Sequence, residues 1–168
     1  MVTSSTHLAH LERIAPLVKG VNALAAEARR NSVEHGFGTH GDRLRIEVDH
    51  ARKRLDAVLL EDYTEQVLNL AQRRVVETLD DYRAYLGNRT MLIVGEAVEV
   101  HEELRDGRDP LEVYHRADGK PEGVGPELAD ILIRVFDTAQ ELGIDLEATL
   151  VEKMAYNAGR PAMHGRKF

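Results

Sequence analysis

The chain contains no cysteine and no tryptophan. Without thiols it forms no disulfide and offers no thiolate to a metal, so any metal must be held by oxygen or imidazole. No apolar run approaches the roughly 20 residues that cross a bilayer, and residues 1–15 lack the continuous apolar stretch of a secretion signal. The expected location is therefore cytoplasmic, with no membrane partner. No stretch of alternating β-branched residues competes with helical periodicity, and there is no internal repeat or low-complexity tract. A basic surplus is missing too. The formal net charge is -7, and the one basic cluster is Arg160, His164, Arg166 and Lys167 in the tail. A nucleic acid polymer is thus an unlikely match for the charge, whereas a small anion escorted by a metal ion is compatible with it.

What remains is 168 residues, 43% hydrophobic and 30% charged, enough for a single domain with a real core and a solvated surface. The pattern is helical almost throughout. A first helical region spans Thr6 to Glu34 within residues 6–38, with an interruption expected near Pro16, and Gly36-Phe37-Gly38 ends it, Gly36 as a left-handed cap. Residues 42–87 form an additional long helical segment, one helix or two, with a break expected near Asp62 and a stop at Gly87-Asn88. In residues 88–168 a helix is expected over Thr90–Arg105, then a loop over 106–125 rich in glycine and proline. Pro126 suits the first position of the next helix, which Gly143 ends. Asp145 is the expected N-cap of a last helix reaching about Ala158.

On a helical wheel at ~100° per residue, Ile93, Ala97, Val100 and Leu104 form one stripe. Glu96, Glu99 and Glu103 form a second, about a quarter turn away. In the later helix Leu128, Leu132, Val135 and Ala139 form the apolar stripe, with Glu127, Asp130, Arg134 and Asp137 beside it. If the apolar stripes pack together, the carboxylates converge at the edge of the seam. Acids without thiols suit a hard cation such as Mg²⁺, which takes oxygen ligands and keeps several waters. Against this stands a plainer reading. Glu-x-x-Glu is common on solvated helix faces, and Arg134 with Asp137 is explained by an i, i+3 ion pair.

The segment Met91-Leu-Ile-Val-Gly-Glu96-Ala-Val-Glu99, followed after the loop by Glu127-Leu-Ala-Asp130-Ile, resembles the Glu-x-x-Glu … Glu-x-x-Asp signature of MazG-like, all-α nucleoside triphosphate pyrophosphohydrolases. Leu142-Gly-Ile-Asp-Leu-Glu147, Lys153-Met-Ala-Tyr-Asn157-Ala-Gly-Arg160-Pro and His164-Gly-Arg-Lys-Phe168 are similar to the later parts of that family. Asn31-Ser-Val-Glu-His-Gly36-Phe37 looks like the end of its first helix. The likeness covers residues 88–168 well and 21–38 weakly. It implies an all-α, four-helix-type bundle, here with residues 42–87 added, assembled as a homodimer or homotetramer. It implies Mg²⁺, with Mn²⁺ as an alternative, held by Glu96, Glu99, Glu127 and Asp130. The substrate would be a nucleoside triphosphate, cut between its α- and β-phosphates to a monophosphate and pyrophosphate, in housecleaning of the nucleotide pool. Glu96 or Glu99 would be the catalytic base, and Lys153, Asn157 and Arg160 would bind substrate. With no tryptophan, stacking on a base falls to Phe37, Tyr114, Tyr156 or another ring.

Other motifs fail on their own terms. His101-Glu102-Glu103-Leu104-Arg105 lacks the second histidine of a zinc-protease helix, and Lys120 lacks the glycine spacing and Ser/Thr of a P-loop. Glu47-x-x-His50 and Glu112-x-x-His115 suggest a di-iron bundle, but the second copy falls in the loop. His7 and His10 share a helix face near the terminus and are read as incidental, while His35 and His40 flank the Gly-Phe-Gly turn, read as surface residues with a ligand-facing role as the alternative. The rival to an enzyme is a non-catalytic, acidic helical oligomerisation module. A third reading is a phosphohydrolase of diphosphates or a phosphorylated metabolite.

Overall fold

The computed structural model describes residues 5–37, 39–60 and 63–160. Helix α1, Ser5–Ile14, gives way to a 3₁₀ turn, Ala15–Val18, because Pro16 disfavours α geometry in the residue before it and cannot donate a backbone hydrogen bond. Helix α2, Val21–Glu34, follows. Gly36 ends it at φ 83°, a left-handed conformation that suits glycine, while Phe37 N donates to Ser32 O at 2.9 Å and Gly36 N to Val33 O at 3.0 Å. Helix α3 is Thr39–Leu60 and α4 is Glu65–Arg105. These two bracket the break expected at Asp62, which itself lies outside the described residues, as do Gly38, His164, Arg166, Lys167 and Phe168. Helices α5, Val124–Leu142, and α6, Leu146–Ala158, complete the chain. Asp145 caps α6 by accepting from Ala148 N at 3.0 Å. Among the described residues no helix is long and apolar enough to cross a membrane.

Three expectations need correction. First, α4 runs 41 residues without interruption through Gly87-Asn88. A helical glycine costs about 1 kcal/mol, but α3 packs along the first part of α4 and α5 along the rest. Tertiary packing on both sides of the weak point holds the helix intact. The boundary drawn between residues 42–87 and 88–168 therefore falls inside one rod. Second, residues 106–125 are not all irregular. Strands β1, Tyr114–His115, and β2, Pro121–Glu122, pair antiparallel, Tyr114 opposite Glu122. Third, the α4–α5 seam is rotated from the stripe expected. The inward positions of α4 are Arg89, Ile93, Glu96, Val100 and Glu103, all buried or half-buried, while Ala97 and Leu104 are exposed. On α5, Leu128 and Leu132 are about half exposed, at 49% and 53%. Two glutamates thus lie on the seam rather than beside it, because α5 and the hairpin supply them with polar partners.

The apolar core is modest. Ile14, Val18 and Ala155 bury one cluster between α1, the 3₁₀ turn and α6, flanked by Leu11, Val21, Leu150 and Val151. Reciprocal caps join α2 to α6: Glu147 Oε1 accepts from Gly20 N at 2.8 Å and Asn22 N at 3.2 Å, while Asn22 Oδ1 accepts from Leu146 N at 3.0 Å and Glu147 N at 3.3 Å. Helix α2 lies against α5, and its inward Ala25 and Ala28, both buried, let the backbones approach closely. Where α2, α3, α4 and α5 meet, Arg29, Asp42, Tyr85, Arg89, Asp137 and Glu141 interlock. Gly41 sits against this knot, where a β-carbon would run into the Glu141 carboxylate and the Tyr85 ring.

Candidate metal centre

The largest fully buried side chains are Glu127 and Thr78. A carboxylate in that position is expensive unless something compensates it. Thr78 resolves its case locally, donating to Arg74 O at 3.0 Å. Glu127 does not: it is 1% exposed, and its Oε2 has no hydrogen-bond partner among the described residues.

Glu127 lies in the first turn of α5. It is brought beside β2 by Gly123, whose φ is 121° and whose missing β-carbon leaves room for the Glu112 carbonyl oxygen. That close pass sets Glu122 against Glu127, near enough for the two carboxyls to share a proton. Burial pushes the Glu127 carboxyl up to about 7, with help from the Glu122 hydrogen bond and the Glu99 charge, while Lys120 opposes the shift. At Glu122 burial also disfavours the charge, yet hydrogen bonds with Glu127, Lys120 and Arg116 outweigh it and hold the carboxyl below its usual range. The proton therefore belongs to Glu127.

Across the seam, α4 presents Glu96, 9% exposed, and the exposed Glu99. One oxygen from each of Glu96, Glu99 and Glu127 lies within 4.8 Å of the others, and among the described residues this is the one group of three or more acidic or imidazole side chains so placed. Oxygens opposite one another around Mg²⁺ are about 4.2 Å apart, so small rotations close the set on an ion. Glu96 accepts from Arg134 Nε at 3.0 Å. Glu99 makes no hydrogen bond or ion pair among the described residues. Lys120 Nζ stands 3.2 Å from Glu122 Oε1 and 3.7 Å from Glu127 Oε1, and its hydrogen bond to Glu122, with the charges of Glu127, Glu122 and the more distant Asp130, raises its pKa. The hairpin is tied down by Tyr114, whose hydroxyl donates to Glu103 Oε1 at 2.8 Å.

The fourth expected ligand stands apart. Asp130, half-buried one turn along α5, lines a cavity of about 300 Å³ together with Asn31, Ser32, His35, Phe37 and Arg134. The expected Arg134–Asp137 pair is not formed: Arg134 turns to Glu96, and Asp137 pairs with Arg29 and Arg89. Lys153, Asn157 and Arg160 are exposed on or just beyond α6, which packs on α1, the 3₁₀ turn and α2. Lys153 and Arg160 there flank the Tyr156 ring at 5.7 and 5.6 Å. Within one chain they do not join the carboxylates. Of the histidine pairs, His35 lines the cavity beside Asp130, His40 meets the Tyr85 ring edge-on, and His7 with His10 faces α6.

Sequence reasoning missed Glu122 and weighed Lys120 only as a P-loop residue. Asp118-Gly119 was the available signal, since Asp-Gly between two short extended stretches marks a hairpin, and a hairpin there must bring Glu122 back towards α5. No protein-family model, curated protein or solved structure matches the chain.

Proposed function

We propose that the protein is a Mg²⁺-dependent nucleoside triphosphate pyrophosphohydrolase of the MazG-like kind. The observation that carries the reading is Glu127: a buried carboxyl with an unpartnered oxygen, facing Glu96 and Glu99, with Lys120 at 3.7 Å as its counter-charge. The resemblance of Glu96-x-x-Glu99 and Glu127-x-x-Asp130 to the family signature supports it independently.

Glu96, Glu99 and Glu127 would hold the ion, and Asp130 would join from the rim of the adjoining cavity. A bound divalent ion supplies positive charge for the polyphosphate and acidifies a water. The chain's own residues do the rest. Arg134 fixes Glu96 in orientation. Glu99, which no arginine or lysine among the described residues pairs with, would be the better placed of the two candidate bases to orient an attacking water with its second oxygen and take its proton. The water oxygen bonds to phosphorus, the bridge between α- and β-phosphates breaks, and pyrophosphate departs from the nucleoside monophosphate. The cavity beside Asp130 offers an amide in Asn31, a hydroxyl in Ser32, an imidazole in His35 and a ring in Phe37, a mixture suited to a nucleoside.

Large apolar side chains left uncovered on α4 and α5, Met91, Leu92, Val94 and Val98 with Leu128, Leu132 and Ile133, favour a homodimer or homotetramer. A second copy is also the route by which Lys153, Asn157 and Arg160 could reach a site. The same faces are what a non-catalytic oligomerisation module would display, so the two readings part at the chemistry. Purified protein with Mg²⁺ and a panel of nucleotides should release pyrophosphate, and Glu127→Gln, Glu96→Gln and Asp130→Asn should each lower the rate by at least about 100-fold, as loss of a group acting on the transition state does. Orthophosphate as product points to the diphosphate or metabolite reading. No turnover, with an oligomer intact by light scattering, leaves the module.

A further inference from the structure

Outside the carboxylates the molecule has an arginine-lined groove between α3 and α4, cavities against α6 and the interhelical ion-pair knot. In the knot Arg89 Nε and Glu141 Oε1 lack hydrogen-bond partners, yet both side chains are ion-paired within the chain. The hairpin over the carboxylates adjoins the unpartnered Glu127 oxygen, and it carries an inference that rests on the reading above. We infer that Lys120 and a divalent ion occupy the carboxylate cluster in turn, and that the lysine displaced by the ion becomes a ligand for the polyphosphate.

Without an ion, Lys120 is the cation that pairs with Glu127 among the described residues, at 3.7 Å, and it bridges that residue to Glu122 at 3.2 Å. Arg134 is committed to Glu96, and Arg116 reaches only Glu122 and Asp118. Among the described residues Lys120 is thus the one with a positive charge that pairs with both β2 and α5. A divalent ion on Glu127 opposes that place, since the two cations would then repel across one carboxylate while the ion takes over the charge the lysine was balancing. Only its side chain needs to move. The backbone is pinned, with Arg116 N donating to Lys120 O at 2.9 Å and Lys120 N to Asp118 Oδ1 at 3.1 Å. A lysine head on a four-carbon stem can swing while the turn beneath it stays fixed. The side chain is 41% exposed, so the path outward is open. Glu122 keeps its partner in Arg116, and the released ammonium lies at the mouth of the site, where an ion-bound polyphosphate must sit.

The test is binding, separate from turnover. Mn²⁺ is titrated into wild type, Lys120→Met and Lys120→Arg, reading free Mn²⁺ by electron paramagnetic resonance, with circular dichroism to show each variant folded. Inorganic pyrophosphate is then titrated into each Mn²⁺-loaded protein by calorimetry. Removing a competitor that closes nine-tenths of the metal-free molecules tightens apparent affinity about tenfold. Lys120→Met should therefore bind Mn²⁺ about that much more tightly and pyrophosphate at least about tenfold more weakly, the cost of one lost charge-assisted contact. Lys120→Arg, which keeps the charge, should stay near wild type in both. Unchanged or weaker Mn²⁺ binding in folded Lys120→Met, or unchanged pyrophosphate binding, overturns the inference and leaves the metal site standing. Wild type that binds no Mn²⁺ removes both.

Discussion

One seam, α4 against α5, carries two clusters of buried charge, and they are built to opposite rules. Arg89 and Glu96 are seven residues apart on α4, about 10 Å. Around Arg89 the chain supplies its own counter-charge. Arg29 reaches Asp42 at 3.0 Å, Glu141 at 3.0 Å and Asp137 at 3.4 Å. Arg89 pairs with Asp137 and stands 3.6 Å from Glu141, and the Tyr85 hydroxyl donates to Glu141 Oε2 at 3.1 Å. Burial works against the charge on Arg29, yet the three acids raise its pKa. Both clusters hold more acids than cations, and both keep buried polar atoms without a hydrogen bond, Glu141 Oε1 in one and Glu127 Oε2 in the other; the difference is that Glu127 is pushed up to about 7, so a proton is held where a charge would stand. Buried ion pairs made within the chain serve architecture, whereas a buried carboxyl that keeps its proton among other acids, despite Lys120 nearby, supports the proposed cation site.

The sharpest way to break this contrast is to remove one charge from each cluster. Arg89→Met leaves Asp137 and Glu141 to share Arg29 alone and should cost about 3 kcal/mol, the lower end for a broken buried pair, in urea unfolding. Glu127→Gln in the same assay with EDTA should be neutral or stabilising, because it deletes repulsion rather than attraction. Equal losses would mean that the two clusters do the same job.

A smaller effect separates them by pH. The Glu127 carboxyl titrates near 7 in the folded chain against 4.5 for the free group. Between those values the folded protein keeps a proton that the unfolded chain has released. Stability without metal therefore falls as pH rises from 4.5 through 7, and levels off above. Melting temperatures in EDTA should show this decline in wild type and lose most of it in Glu127→Gln; a decline of equal slope in the variant would place its origin elsewhere.

The smallest change is Tyr85→Phe. Burial, then the Glu141 hydrogen bond, push this hydroxyl to about 12. Arg29 remains on Glu141, so the loss should be about 1 kcal/mol by urea unfolding, with Mn²⁺ binding untouched. A change in Mn²⁺ affinity would mean that the two clusters are coupled along the seam.

Local chemistry was legible in the sequence wherever a single residue decides the backbone. Pro16 breaks the first helix, Gly36 and Gly143 close helices, and Asp145 opens one. The meeting of Glu96, Glu99 and Glu127 was also within reach, since helical spacing puts each near a seam. What escaped depends on partners distant in the chain. Gly87-Asn88 reads as a stop until α3 and α5 are packed on either side. Arg89 carries no mark of its pairing with Asp137, 48 residues away. Glu103 joins the buried seam only because Tyr114 comes back from the hairpin to meet it. Asp130 matches a ligand motif in spacing, yet it faces the neighbouring cavity, since one helical turn is enough to carry a side chain past a shared point.

The unbroken α4 has a mechanical corollary. At 41 residues it is about 60 Å long, roughly twice the width of a small domain. It works as a ruler: one end is gripped by α3, the other bears the acids, and no hinge lies between. Whatever clasps the far arm sets the orientation of the carboxylates without touching them, and a kink introduced midway, such as Gly87→Pro, would uncouple the two ends while leaving the chemistry at each in place.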